Sequence, residues 1–418
     1  MNILHLNTLQ TGGAALCAMR INNALQEEGA DSRMLFAEDL SLPEGITGAI
    51  AEQDKSIWYA HPWMLRFKYQ VVKLPFWTVR DHEKMEIVLR RKNEELTKKL
   101  YLHGPSSRYK NIAYHPLVDW ADVVHLHWVA NFVDYPTFFR NVKKPIVWTL
   151  HDKFPASGAL HLESDHYPVP DSLKDIDNYC RKIKRESILK SNNLNIVAIS
   201  ELMVDECKKS DVLKGFPVTL IHNGVDTEVF HLNNKSAARK ELELSEDAKV
   251  FLFSANNIYD DNKGFHRLVD AIESLNISNA MLVCIGIFNP SVKKPKASFP
   301  IVCTGYIDEQ SLLAKYYSSA DYYLQCSYTE SFGQTIVEAM ACGTPVISTK
   351  CGVAPELIQP FNGVLCGGFD SGALAHAIEI ALAQDYDPNS IRRYILDNYQ
   401  YSIIARQYLD LYRSIISQ

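Results

Sequence analysis

The sequence predicts an α/β protein made of two doubly wound domains, each a parallel sheet with helices on both faces. Three observations predict it. Short apolar runs rich in β-branched residues alternate with amphipathic stretches along most of the chain. The runs fall into two sets, joined by a polar segment at 231–247. The 418 residues, 47% hydrophobic and 22% charged, have the size and composition of an ordinary globular chain of two or three domains.

The first set opens with MNILHLNTLQTGG, an apolar run of strand length that ends in a glycine turn. Strands are expected at 3–6, 32–36, 123–126, 146–150, 196–199 and 219–222, with an amphipathic helix at 15–28. The second set has strands at 250–254, 281–285, 301–303, 322–325, 345–348 and 363–365. Helices are expected between them at 265–275, 311–319 and 335–341. A last helix at 401–416 has no strand after it. The domains are therefore placed at 1–230 and 231–400, with 401–418 as a terminal helix.

The segment 55–110 interrupts the alternation. Residues 56–80 hold seven aromatics, and 55–110 carries 13 basic against 5 acidic residues. A solvated helix is expected at 83–100, behind the aromatic run if that run is a core insertion. Aromatic rings mixed with cations suit the membrane–water interface, where rings sit at headgroup level and cations meet anionic lipid. An aromatic core insertion and an acceptor pocket are the other readings.

Composition excludes several classes. The net charge of -6 argues against a general nucleic-acid binder. No apolar run approaches the ~20 residues of a membrane span. The N-terminus lacks a basic region ahead of its apolar run, so it does not read as a signal peptide. The nine cysteines are irregularly spaced without a CxxC pair and read as reduced, buried thiols. These features favour a cytoplasmic protein, peripheral on the inner face of the cell membrane if 55–110 binds lipid. DID at 175–177 and DYD at 385–387 do not follow strands and read as solvated acids, and histidines and cysteines lack zinc spacing. No metal is expected.

The chemistry concentrates at 330–343, ESFGQTIVEAMACG. Glu330 falls in a loop after a strand, and Glu338 on the following helix. Ser331, Phe332, Gly333 and Gln334 would form the helix N-terminus, where backbone N–H groups and the helix dipole favour an anion such as a diphosphate. Gly333 lets a ligand approach the backbone. A carboxylate at this mouth can take sugar hydroxyls, and one on the first turns can take a ribose diol. His151 follows the strand run PIVWTL, at the edge where open α/β sheets bind ligands. It is assigned to the reacting sugar or the acceptor. His127, in HLHW, lies at a second such edge and is assigned to the acceptor.

These motifs resemble retaining glycosyltransferases of family four. Glu330, Ser331, Phe332, Gly333, Glu338, Ala339, Gly343, Pro345 and Val346 follow the family signature, and Gly352, Pro355, Glu356, Asn362 and Gly363 extend it. GYIDEQSLLAKYYSSADYYLQCS at 305–327, GGAA at 12–15, HDKFP at 151–155, AIS at 198–200 and HNGVD at 222–226 also fit, in the family's order. The resemblance implies the GT-B fold, two Rossmann-like domains facing a central cleft, the first binding the acceptor and the second the nucleotide sugar, with the last helix crossing back to the first domain. It implies transfer from a UDP-, GDP- or ADP-sugar to a lipid-linked or oligosaccharide acceptor, in surface polysaccharide synthesis.

By the same resemblance Glu330 holds the transferred sugar and Glu338 the ribose. Amides near 332–335, Thr335 included, contact sugar and diphosphate. Tyr306 and Ile307 read the base through their backbone, and Gly12 and Gly13 let the first loop approach the donor diphosphate or the acceptor. Lys263, in DDNKGF, matches the lysine that grips the diphosphate. One position departs from the pattern. Where many members carry an arginine in a Gly-Arg pair, this chain reads Ser254-Ala255-Asn256-Asn257, so Asn256 or Asn257 is the expected neutral substitute. Two other readings stand beside this one. A nucleotide-sugar epimerase would need no acceptor, and a non-catalytic sugar-nucleotide-binding or scaffolding subunit would tolerate loss of Glu330.

Overall fold

Val123–Leu126 and Ile146–Leu150 are buried at every position. Continuous burial of this kind marks parallel strands covered on both faces. The computed structural model describes residues 1–37, 42–51, 102–107, 109, 111–161, 168–289, 292 and 295–417. The aromatic run 56–80 and the helix expected at 83–100 lie outside them.

The described residues form two parallel sheets. The first joins β1 (Asn2–Asn7), β2 (Asp31–Phe36), β3 (Gly48–Ile50), β4 (Val123–Leu126), β5 (Ile146–Leu150), β6 (Leu194–Ala198) and β7 (Val218–Leu220), in the order β3-β2-β1-β4-β5-β6-β7. The second joins β8 (Lys249–Asn257), β9 (Ala280–Ile287), β10 (Ile301–Gly305), β11 (Tyr322–Gln325), β12 (Val346–Ser348) and β13 (Gly363–Leu365), in the order β10-β9-β8-β11-β12-β13. The strand order reverses between β1 and β4 in one sheet and between β8 and β11 in the other. Such switch points open a crevice at the carboxyl ends of the strands, where ligands bind. This is the doubly wound α/β architecture the alternation predicts.

The chain divides into two compact units, Met1–Ile221 with Ile404–Gln418, and His222–Ile403. The division falls before the HNGVD motif because that motif packs in the second unit. There His222 Nε2 lies 2.7 Å from Glu356 Oε2, and Arg392 donates to the Phe230 carbonyl at 2.8 Å. The core of the first unit centres on Trp148, Phe138 and Phe139, and that of the second on Phe251, Phe253 and Leu324.

The terminal helix, Tyr401–Ile416, covers a polar patch of the first sheet. Tyr412 OH lies 2.7 Å from His125 Nδ1, and Tyr408 OH lies 2.8 Å from Thr149 Oγ1. His125 Nε2 also meets Thr149 Oγ1, at 2.7 Å. The buried imidazole and hydroxyl therefore have the partners that burial demands.

Two sequence readings need correction. Asp177 is not a solvated acid. It is 2% exposed, accepts from the Ala159 amide at 2.7 Å and pairs with Arg181 at 2.7 Å. Gly48–Ile50 is a strand the pattern misses, since three residues are too few to show a period. None of the nine cysteines forms a disulfide; eight are buried and Cys303 is half-buried.

Candidate active site

At the switch point of the second sheet, Lys263 follows β8 and Glu330 follows β11. Lys263 Nζ lies 2.5 Å from Glu330 Oε1. The same oxygen accepts from Ser327 Oγ at 2.7 Å and from Gln325 Nε2 at 2.8 Å. Gln325 and Ser327 are buried, so three donors fix one carboxylate oxygen from the sheet side. No described residue bonds Oε2. Burial opposes the charge of Lys263, but the carboxylate of Glu330 outweighs it and raises the lysine above its ordinary value.

Asn262 ties the two loops together. Its side chain donates to the Thr329 carbonyl and accepts from the Thr329 amide, each at 3.0 Å. Its carbonyl accepts from the Tyr328 amide at 2.9 Å. Lys263 and Glu330 are thus held by a neighbouring pair of residues locked backbone to side chain. The sequence reading misses Asn262, Gln325 and Ser327. The only signal for them is position beside a motif residue.

Gln334–Ala341 begins four residues after Glu330, with Gly333 at its N-cap at φ 93°. That left-handed angle suits glycine. Ser331, Gln334 and Thr335 are half-buried around this end, and Phe332 is buried. The Phe332 carbonyl accepts from Val353 N at 2.7 Å, which pins the loop from the other side. Glu338 lies one turn on, 8% exposed, and accepts from Tyr317 OH at 3.2 Å. Tyr306 and Ile307 lie in the loop after β10, with Tyr306 61% exposed.

Asn256 and Asn257 close β8 and are exposed. Arg267 does not take the place of the absent arginine. Its guanidinium lies 3.6 Å over the Tyr328 ring and donates to the Cys326 carbonyl at 2.8 Å. A cavity of about 210 Å³ is lined by Tyr259, Asp260, His266, Arg267 and Tyr328. Neither Lys263 nor Glu330 lines it, so it is not part of this arrangement.

In the first unit Gly13 follows β1, His127 follows β4, and His151 follows β5. A Cβ added to Gly12 or Gly13 would meet nothing within 4 Å, so the glycine loop borders open space. His151 is half-buried, and its Nε2 lies 2.9 Å from His127 Nδ1. His127 Nε2 in turn lies 2.8 Å from His5 Nδ1. The assignment of His127 to the acceptor needs correction. Its ring is 1% exposed and both nitrogens are taken, so it supports His151 from below.

Burial drives the histidines toward neutrality: His5 to about 3, His151 to about 4, and His125 and His127 well below the ordinary value. His5, His125 and His127 could in principle hold a metal ion, their candidate ligand atoms lying within 4.8 Å of one another. Yet both nitrogens of His125 and His127 and Nδ1 of His5 are already hydrogen-bonded, leaving only His5 Nε2 without a partner. The trio fits a hydrogen-bonded network better than a metal centre. Strand pairing assembles it from residues about 120 apart, which no local spacing reveals.

Comparison with known proteins adds to this geometry. Residues 234–397 match the model for glycosyl transferases group 1, and residues 100–229 match that for glycosyltransferase family 4. The matches contain Lys263, Glu330 and Glu338 in one case, and His127 and His151 in the other. The chain is a glycosyltransferase of the GT-B type. An uncharacterized glycosyltransferase of Methanocaldococcus jannaschii is 25% identical over 338 residues, which cover 77% of this chain and 79% of that protein. A D-inositol 3-phosphate glycosyltransferase of Xylanimonas cellulosilytica is 28% identical, with 64% of each chain covered. The aligned part is thus slightly under two thirds of that second relative's length. The structure of sucrose-phosphate synthase from Thermosynechococcus elongatus superposes with a TM-score of 0.69 at 18% identity, covering 99% of both chains. At that identity the likeness concerns the fold. In this glycosyltransferase the two switch points therefore carry the residues that the family motifs single out.

Proposed function

We propose that this glycosyltransferase moves a sugar, with retention of configuration, from a nucleoside-diphosphate sugar to a lipid-linked or oligosaccharide acceptor in surface polysaccharide synthesis. The observation that carries the reading is Glu330. One of its oxygens is fixed by Lys263, Ser327 and Gln325, at the mouth of the Gln334–Ala341 helix. An acceptor-only carboxylate with one oxygen committed has the other for sugar hydroxyls.

Lys263 presents three N–H donors, and Glu330 uses one. The remaining two serve the diphosphate of a UDP-, GDP- or ADP-sugar. Amides at 331–335 and the helix dipole add to the stabilisation of the leaving group. Asn256 contributes a neutral hydrogen bond in place of the absent arginine. Glu338 holds the ribose, Tyr306 and Ile307 read the base, and Gly13 lets the first loop approach the donor. His151 meets the reacting sugar or the acceptor. The leaving phosphate takes the acceptor proton, so the reading calls for no enzyme nucleophile and no metal. The basic, aromatic segment 55–110 is the feature that favours a position on an anionic membrane surface at the cytoplasmic face.

Slow hydrolysis of the donor, with water as acceptor, tests the reaction without knowledge of the natural acceptor. UDP-glucose, UDP-N-acetylglucosamine, GDP-mannose and ADP-glucose would each be incubated with the enzyme and followed by proton NMR. Nucleoside diphosphate should appear from at least one, with the α-anomer of the sugar forming first, and Glu330→Gln should abolish it. First appearance of the β-anomer would refute retention. No release from any donor would favour the non-catalytic reading.

A further inference from the structure

A second set of imidazoles lies beside His151 and has no part in the arrangement above. Asp152 Oδ2 lies 2.6 Å from His161 Nδ1, and His161 Nε2 lies 2.7 Å from His103 Nδ1. Asp152 is fixed by two further donors, Trp128 Nε1 at 2.9 Å and the Phe154 amide at 3.0 Å. Phe154 stacks on His161 with ring centroids 4.4 Å apart and planes 8° from parallel. His161 is 7% exposed, whereas His103 is half-buried and its ring makes no hydrogen bond to another described residue.

Hydrogen-bond direction follows from the carboxylate. An ionised Asp152 only accepts, so His161 carries its proton on Nδ1. With one proton on each ring, the lone pair of His161 sits on Nε2 and accepts from His103 Nδ1–H. This leaves His103 Nε2 as an acceptor at the partly exposed end of the chain. Burial lowers His103 to about 3, so its ring is neutral. Asp152 is held below the ordinary carboxylate range. Burial opposes that shift, and His161, Phe154 N and Trp128 outweigh it.

We propose that Asp152, acting through His161, holds His103 Nε2 as the hydrogen-bond acceptor for a hydroxyl group of the glycosyl acceptor. The site takes a neutral polyol, since it presents a lone pair and no cation. His103 contacts the hydroxyl and orients it, while His161 and Asp152 are positioning residues that fix the tautomer. This rests on the reading that the first unit receives the acceptor.

The test uses the full chain labelled with [15N]histidine, observed by NMR at neutral pH, with methyl α-D-glucopyranoside as the hydroxyl probe. His103 should show an unprotonated Nε2 and a protonated Nδ1. The Nε2 resonance should move saturably as the glucoside is added. In His161→Phe, which keeps the ring stacked on Phe154 but removes the acceptor nitrogen, the two tautomers of His103 should mix. Glucoside affinity should then fall about fivefold, the loss of one neutral hydrogen bond. A proton on His103 Nε2 in the wild type would overturn the proposal, and so would a glucoside titration that leaves His103 unmoved. Binding of UDP, GDP and ADP to the same sample reports on the Lys263 and Glu330 site separately. Its loss in the wild type would count against the proposed function, and its retention in His161→Phe shows that the variant is folded.

Discussion

Lys263 Nζ stands 2.5 Å from Glu330 Oε1, although 67 residues separate them in sequence. The pair joins the loop after β8 to the loop after β11, across the point where the strand order reverses. An ammonium and a carboxylate this close neutralise each other only in part. The lysine retains two donors for an anion, and the carboxylate retains a second oxygen.

Replacing Lys263 with alanine should weaken nucleoside-diphosphate binding by about 10- to 100-fold, the usual effect of losing a charge-assisted contact of ~1.5–3 kcal/mol. Titration calorimetry with the preferred nucleotide checks this. Replacing Glu330 with glutamine should leave nucleotide affinity within about threefold and lower turnover at least about 100-fold, because it removes charge that matters in the transition state.

Asn262→Ala should loosen both residues at once. It removes two hydrogen bonds to Thr329 and leaves the Thr329 groups to find water. A destabilisation of about 1–3 kcal/mol is expected, with loss of turnover larger than the shift in unfolding temperature suggests. Activity measured well below the unfolding temperature separates the two effects.

Gly352 sits at φ 55°, and a Cβ there would lie 2.2 Å from the Phe332 carbonyl oxygen. Gly352→Ala should therefore push the Phe332–Gly333 loop off the helix mouth. It should cost at least about 1–3 kcal/mol and weaken nucleotide binding, read by thermal unfolding with and without nucleotide.

Stability should fall with acid in a defined window. His5, His103, His125, His127 and His151 have folded-state values below the ordinary 6.5, His5 and His103 at about 3 and His151 at about 4. For each, the unfolded chain binds the proton first. Their contribution is therefore fully present above pH 6.5 and is lost as the pH falls from 6.5 toward 4. Each proton taken up on unfolding is worth about 1.4 kcal/mol per pH unit, so five would give a slope of up to about 7 kcal/mol per pH unit. All five lie in the first unit. Calorimetry between pH 7 and 5 should show its transition moving, and His125→Phe should reduce the slope by about one proton.

Much of this was legible in the residues. Val123–Leu126, Ile146–Leu150, Tyr322–Gln325 and Gly363–Leu365 coincide with the expected strands, because short β-rich apolar runs bounded by polar residues leave little choice of limits. Glu330, Glu338 and Lys263 stood out because they sit in a local motif. Asn262, Gln325 and Ser327 did not, since their role is set by partners on another strand or loop. The burial of His127 escapes the sequence for a related reason. Strand periodicity places it on one face of the sheet, but only the pairing of β1 with β4 reveals that His5 lies beneath it. Asp152, His161 and His103 meet through a loop whose path no periodicity records.

Donor binding by Lys263 is tested most directly by thermal unfolding of the wild type and Lys263→Ala with UDP, GDP, ADP and their common sugar conjugates. A nucleotide at 100-fold over its dissociation constant adds ~2.7 kcal/mol to the folded state. Such stabilisation is expected with one base in the wild type, and its loss in Lys263→Ala. Equal stabilisation of both proteins, or of neither by any nucleotide, would contradict it.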